Sequence, residues 1–409
     1  MRSYDEIERK TDFIINISTL LFFLTMQCVA PYLSQVAVDL GATEFMVALL
    51  TSMYAISSIG LRPLSGFLND RGYSMYLMII GSSFMFVSQI IYLLSRDIYL
   101  LYILYIGRFL QGVGIAFFIP TSLYMAATFG REETISKRIA TRSLMISIAA
   151  TLGPMIGGLL VSLGRGWTLL FAGSLFLSLT TLIMILLNAR LINFFRENML
   201  PSDPLSSTVS EYKETSERNS LKNIMKPEFI SLLVSNFLFS SAYSLLTSFL
   251  PAYHRKNSVD PHVIGVFFTI SSFANMSTRA FYLKIISSQI LVRYAFLGVL
   301  LLGSSLMIIS IDPLNTTILY ITAVLNGAGM GLTIPSLQTM ALSSLDKRSR
   351  GLGSSVYTMM FDAANLIAPP LIISIVSTYY SAIKVSSYIM FLTLIPIAFV
   401  SRSYLRKIF

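Results

Sequence analysis

Gln111-Gly112-Val113-Gly114, followed by Pro120, returns 215 residues later as Asn326-Gly327-Ala328-Gly329, followed by Pro335. The same offset carries Gly153-Pro154 onto Ala368-Pro369, and an offset close to it brings Arg62 near Arg279. Each copy lies inside a long apolar run. The chain is therefore one apolar design written twice.

Working outward from these runs gives twelve apolar stretches, at 13–38, 45–69, 75–95, 99–129, 141–163, 167–188, 228–251, 262–283, 293–311, 316–345, 351–376 and 382–401. Each is long enough to cross a hydrocarbon core of about 30 Å as a helix. Composition agrees: 54% of the 409 residues are hydrophobic, 12% are charged, and mean hydropathy is +0.70. Ordinary soluble domains carry about twice that share of charge. The first stretch is too long for a signal-peptide core and lacks a small-residue cleavage site, so it is expected to be the first span. The single cysteine, Cys28, lies within it and is expected to be a small core residue. The expected fold is an all-α membrane protein of twelve transmembrane helices in two pseudo-symmetric six-helix bundles. The bundles are 1–188 and 227–409. They are joined by a linker, 189–226, that mixes charge signs with Pro201, Pro204 and serines.

Net charge is +10, which in a soluble protein would suggest nucleic acid. The placement of the basic residues gives another answer. With the N-terminus cytoplasmic, 22 Lys and Arg fall in cytoplasmic segments and 5 outside, leaving Arg62, Arg108 and Arg279 within spans. That bias predicts cytoplasmic termini in a multi-pass plasma-membrane protein whose positive surface meets anionic lipid. No nucleic-acid partner is called for.

Two six-span repeats are the pattern of a secondary transporter, with the substrate near mid-membrane where the repeats meet. Polar stripes at helical spacing mark the helices expected to line that cavity. They supply Tyr54, Ser58 and Arg62 in span 2, and Asn236, Ser240 and Tyr243 in span 7. Spans 8 and 11 add Asn275, Asp362 and Asn365. Gln27, Arg108, Gln111 and Asn326 complete the expected cavity. Spans 3, 6, 9 and 12 are nearly uniform in their middles and are expected to face lipid.

Arg108 lies too deep to reach the interface easily. An arginine there is costly unless it is paired or meets water, which makes it a functional candidate. The other reading is a structural arginine held by backbone carbonyls. Asp362 is the one acidic residue near the middle of any span, with Asn365 on the same face. A carboxylate there is costly when charged, so it is expected to cycle protons, with Arg108 assisting. The alternative is a permanently hydrogen-bonded acid. His254 and His262 are expected as exposed residues of the loop between spans 7 and 8. Two histidines without a third ligand make no zinc site. No metal, cofactor, nucleotide loop or nucleophile–base pair is expected, so the chain does not read as an enzyme.

Three stretches resemble signatures of the major facilitator superfamily. Gly66-Phe67-Leu68-Asn69-Asp70-Arg71-Gly72 is similar to the loop after the second helix, although Tyr73-Ser74 replaces its basic end. The resemblance makes Gly66, Asp70 and Arg71 a conformational latch, with Gly66 allowing close packing. Arg108-Phe109-Leu110-Gln111-Gly112-Val113-Gly114-Ile115-Ala116 looks like the second signature. Gly153-Pro154-Met155-Ile156-Gly157-Gly158 resembles the core of a third, found chiefly in proton-driven antiporters, with Ala149 where a glycine is usual. Gly112, Gly114, Gly153, Pro154, Gly157 and Gly158 are then helix-packing positions. The resemblance, closest to the twelve-helix drug/proton antiporters, implies a monomer working by alternating access. It would exchange protons for a small organic substrate, in the direction of export. Proton-coupled uptake of a sugar or organic anion, and a non-transporting receptor or scaffold, remain alternatives.

Overall fold

A computed structural model describes residues 4–98, 101–128, 135–163, 166–189, 225–285, 291–345 and 350–406. The described residues form fourteen α-helices and no strand. The first seven are α1 (Tyr4–Val29), α2 (Leu33–Asp39), α3 (Glu44–Asp70), α4 (Ser74–Ile98), α5 (Leu101–Thr128), α6 (Ile135–Ser162) and α7 (Trp167–Leu187). The others are α8 (Pro227–Lys256), α9 (Pro261–Ile285), α10 (Leu291–Ile309), α11 (Thr316–Ser343), α12 (Arg350–Val376), α13 (Tyr379–Leu392) and α14 (Leu394–Arg406). All but Ala189, Met225 and Lys226 of the expected linker lie outside the described residues.

Among the described residues, eleven segments are long and apolar enough to cross a membrane. The helix missing from that set is α9. It has the length, at 25 residues, but His262, Ser271, Asn275, Thr278 and Arg279 lower its apolarity. Two expected spans are broken. The first divides into α1 and α2 around Pro31, which has no N–H to continue the helix. The last divides at Thr393, and Pro396 then sits in the first turn of α14, where a missing N–H costs little.

The chain forms two compact units, one of Met1–Leu200 with Pro251–Thr269 and the other of Pro201–Leu250 with Ile270–Phe409. The tip joining α8 to α9 thus clusters with the first unit. In that unit α4 packs on α5 and α7, α3 on α5, and α1 on α6 and α7. Its core joins Ile15, Phe22, Met78, Met85 and Phe118, with the Phe22 and Phe118 rings stacked at 3.9 Å. In the other unit α10 packs on α11 and α13, and α12 on α11 and α13. Lipid tails are as apolar as these side chains, so close packing, not water exclusion, must hold membrane helices together.

Glycine supplies that closeness, and it does so twice. A Cβ at Gly112 would strike Ser57 Oγ and the Tyr54 carbonyl of α3, and one at Gly327 would strike the Ser271 carbonyl of α9. A Cβ at Gly114 would lie 2.9 Å from Gly81 O and 3.1 Å from Met85 N of α4. At Gly329 it would lie 2.7 Å from Gly298 O and 3.0 Å from Leu302 N of α10. The repeated glycines therefore make repeated contacts. The opposite faces are bare: Tyr76, Ile80, Val87 and Leu94 run along exposed α4, as Leu297, Leu300 and Met307 run along α10.

Candidate functional site

The close approach at Gly112 brings Tyr54 of α3 beside Arg108 of α5. The guanidinium carbon lies 4.6 Å from the centre of the Tyr54 ring, a cation–π distance. Arg108 Nη1 donates to Gln111 Oε1 at 2.6 Å. These residues are three apart and share a helix face. Tyr92 of α4 donates its hydroxyl to the same oxygen at 3.1 Å, and Gln111 Nε2 stands 4.0 Å from the Met85 sulfur. Arg108 is 9% exposed and Gln111 is fully buried. Arg108 Nε has no hydrogen-bond partner among the described residues. The carbonyl-held arginine considered from sequence is not what forms: its acceptor is a side-chain amide. One helix away, Arg62 Nε donates to buried Ser58 Oγ at 3.2 Å. Gln27 is half-buried on α1, with its Cβ where a side chain at Gly153 would sit.

The other unit holds the remaining expected cavity residues. Asn236 Nδ2 of α8 donates to the Tyr357 carbonyl of α12 at 2.8 Å, and Ser240 Oγ reaches Asn236 Oδ1 at 3.4 Å. Asn326 of α11 accepts from Ser271 Oγ at 3.0 Å, while its own Nδ2 has no partner. Asn275 is half-buried on α9. Tyr243 is half-buried and stacks on Phe239 with ring centres 6.5 Å apart. Asp362 is 1% exposed in α12. Asn365 is 9% exposed, and its Nδ2 is turned back to the Phe361 carbonyl at 2.8 Å. Thr358, expected on the same stripe, is exposed and back-bonded to Ser354. The side chain of Ser355 lies outside the described residues.

Sequence reasoning missed a third cluster, where the 251–269 tip meets α2, α3 and α7 within the first unit. Arg255 grips Asp39 with Nε–Oδ1 at 2.5 Å and Nη2–Oδ2 at 2.8 Å. Trp167 Nε1 donates to Asp39 Oδ2 at 2.7 Å, and Lys256 pairs with Glu44 at 2.5 Å. Nearby, Tyr32 donates to the Pro154 carbonyl at 2.7 Å. Its hydroxyl lies where a side chain at Gly265 would be. His254 corrects an expectation. It belongs to the last turn of α8 and is 1% exposed, because α8 runs to Lys256, past the end of the apolar stretch. His262 is likewise helical and half-buried, in the first turn of α9.

At the α3–α4 turn the structure departs from expectation again. Gly66 is exposed and a Cβ there would meet nothing within 4 Å among the described residues, so no close packing forms on it there. Arg71 is exposed, its guanidinium 4.0 Å from the Phe67 ring centre. The Asp70 side chain lies outside the described residues. In α6, by contrast, a Cβ at Gly153 would lie 3.0 Å from Cys28 N, one at Gly157 would strike Cys28 O, and one at Gly158 would lie 2.9 Å from the Tyr32 hydroxyl.

The Major Facilitator Superfamily profile matches residues 15–369 and 232–405. The chain belongs to that superfamily. It is 24% identical over 254 residues to the quinolone resistance protein NorA of Staphylococcus aureus (strain MRSA252), a match spanning 61% of each protein. It is 24% identical over 382 residues to multidrug resistance protein 1 of Bacillus subtilis (strain 168), 89% of each. Among solved structures it resembles a bacterial homologue of the lysosomal transporter Spinster in its inward-facing, unoccupied conformation. That match has TM-score 0.67 and 13% identity over 98% of this chain and 97% of the other. It also resembles a mutant of the peptide transporter POT, with TM-score 0.73 and 12% identity over 96% and 94%. At such identity these structures speak to the fold alone. The chain is thus a superfamily member with the apolar helices of a multi-pass membrane protein.

Proposed function

We propose that the chain exports small organic compounds in exchange for protons, by alternating access of two six-helix bundles, 1–188 and 227–409. The observation that carries this reading is Asp362, a carboxylate 1% exposed inside an apolar helix of a superfamily transporter. A charge so placed is costly, and proton uptake relieves the cost. Such a group can load on one side of the membrane and release on the other. The resistance proteins at 24% identity support export. The basic bias supports cytoplasmic termini in a plasma membrane.

The test is flux in proteoliposomes with an imposed pH gradient, using hydrophobic dyes and a fluorescent quinolone as probes. Asp362→Asn is expected to abolish gradient-driven accumulation while leaving probe binding in place. Concentrative transport by the variant under a pH gradient alone would remove Asp362 from coupling. Flux in the opposite sense would favour the uptake reading, to which the buried charge of Arg108 lends some support.

A further inference from the structure

The guanidinium of Arg108 uses only one of its two edges. Nη1 is committed to Gln111 Oε1 at 2.6 Å, and one face is covered by the Tyr54 ring. Among the described residues Nε and Nη2 make no hydrogen bond, although Nε is fully buried. That pair of N–H groups points the same way and matches the two oxygens of a carboxylate, the bidentate geometry in which arginine excels. Among the described residues no carboxylate pairs with Arg108.

The neutrality of its surroundings is specific. Gln111 Oε1 collects two donors, Arg108 and Tyr92, a position a glutamate oxygen would fill without change of size. Glutamate there would cancel the charge, whereas glutamine orients the guanidinium and leaves the charge intact. A buried cation without a counter-ion is expensive, and tyrosine and an amide offset only part of that cost. What would complete the site is an anion that arrives and leaves.

We propose that the Nε–Nη2 edge of Arg108 anchors a carboxylate on the transported compound, so that organic acids are among the substrates. This rests on the transport reading above and adds the substrate class to it. Gln111 is then a positioning residue, holding the opposite edge of the fork. Tyr54 fixes its plane.

The experiment compares matched probes, 2-naphthoate and 2-naphthamide, for binding to purified full-length protein in nanodiscs. The acid is expected to bind at least about 10-fold more tightly than the amide, the range of a charge-assisted bidentate bond. Gln111→Glu should bring acid and amide to within about twofold of each other, because a carboxylate beside Arg108 cancels the charge the acid would meet. Arg108→Lys, which keeps the charge but loses the planar edge, should lose most of the preference. Melting of each variant without ligand shows whether it folds. Equal affinities in the wild type, no binding of either probe, or a preference surviving in Gln111→Glu would each overturn the anchor. Proton-driven export of neutral dyes by the same protein would then leave the transport reading standing.

Discussion

Replacing Gly157 by alanine should loosen the first unit, and the same replacement at Gly66 should tighten it. At Gly157 the added Cβ falls 2.6 Å from Tyr32 Cε2 and closer still to Cys28 O. Neither neighbour can yield cheaply. The carbonyl belongs to the backbone of α1, and the Tyr32 ring is fully buried and tied by its hydroxyl to Pro154 O at 2.7 Å. Ordinary carbon contacts need roughly 3.5–4 Å, so α1 and α6 must separate by about 1 Å. Overpacking of this kind costs about 1–3 kcal/mol. At Gly66 no described residue lies within 4 Å of the new methyl. There the gain is the conformational freedom a helical glycine wastes, about 0.5–1 kcal/mol. The two alanines should therefore differ by about 1.5–4 kcal/mol, with opposite signs about the wild type. Unfolding in mixed detergent–SDS micelles, followed by helical circular dichroism, measures this directly. A Gly157→Ala protein as stable as the wild type would refute the argument that glycine sets the α1–α6 spacing. A destabilised Gly66→Ala protein would show that its open surroundings were misjudged.

Cysteines placed at Ser207 and Asn257, with buried Cys28 replaced by serine, should label from opposite sides of the membrane; labelling of both by an impermeant reagent added to intact cells would refute the topology. Asp39→Asn should remove the grip of Arg255 and lower stability by about 1 kcal/mol at low ionic strength, because both side chains are about 30% exposed. Raising salt should shrink the difference between variant and wild type, and a difference that grows with salt would contradict the ion-pair account.

The glycines were legible because only glycine permits the backbone contacts that α5 and α11 make, and their spacing was open to view. The breaks at Pro31 and Thr393 were not, since apolar runs continue through them and hydropathy cannot see a missing N–H. His254 was misread for the converse reason: the apolar run stops near Pro251 while the helix continues to Lys256. No local pattern announces the Asp39–Arg255 pair, whose partners are 216 residues apart. A clue existed, because Arg255 and Lys256 are adjacent on the side assigned few basic residues. Tyr92, which shares Gln111 with Arg108, was lost among the apolar residues of a span expected to face lipid.

The repeat itself separates scaffold from function. At the offset of 215 residues, Gly112 and Gly114 have glycine counterparts, and Gln111 has an amide counterpart in Asn326. Those amides serve different masters: Gln111 holds a cation, whereas Asn326 accepts from Ser271. The counterpart of Arg108 is Ala323, fully buried and uncharged. The counterpart of Asp362 is Ser147, half-buried and back-bonded to Ser143. Packing alone would be served by two apolar copies, since an uncharged residue already suffices at each equivalent position. A buried charge in a membrane helix costs several kcal/mol unless something offsets it. Arg108 in α5 and Asp362 in α12 are nonetheless ionisable groups at positions whose counterparts have none. On the proposed transport reading, departures from the repeat that are costly to stability mark the positions selected for function, and this makes Arg108 and Asp362 the first residues to test.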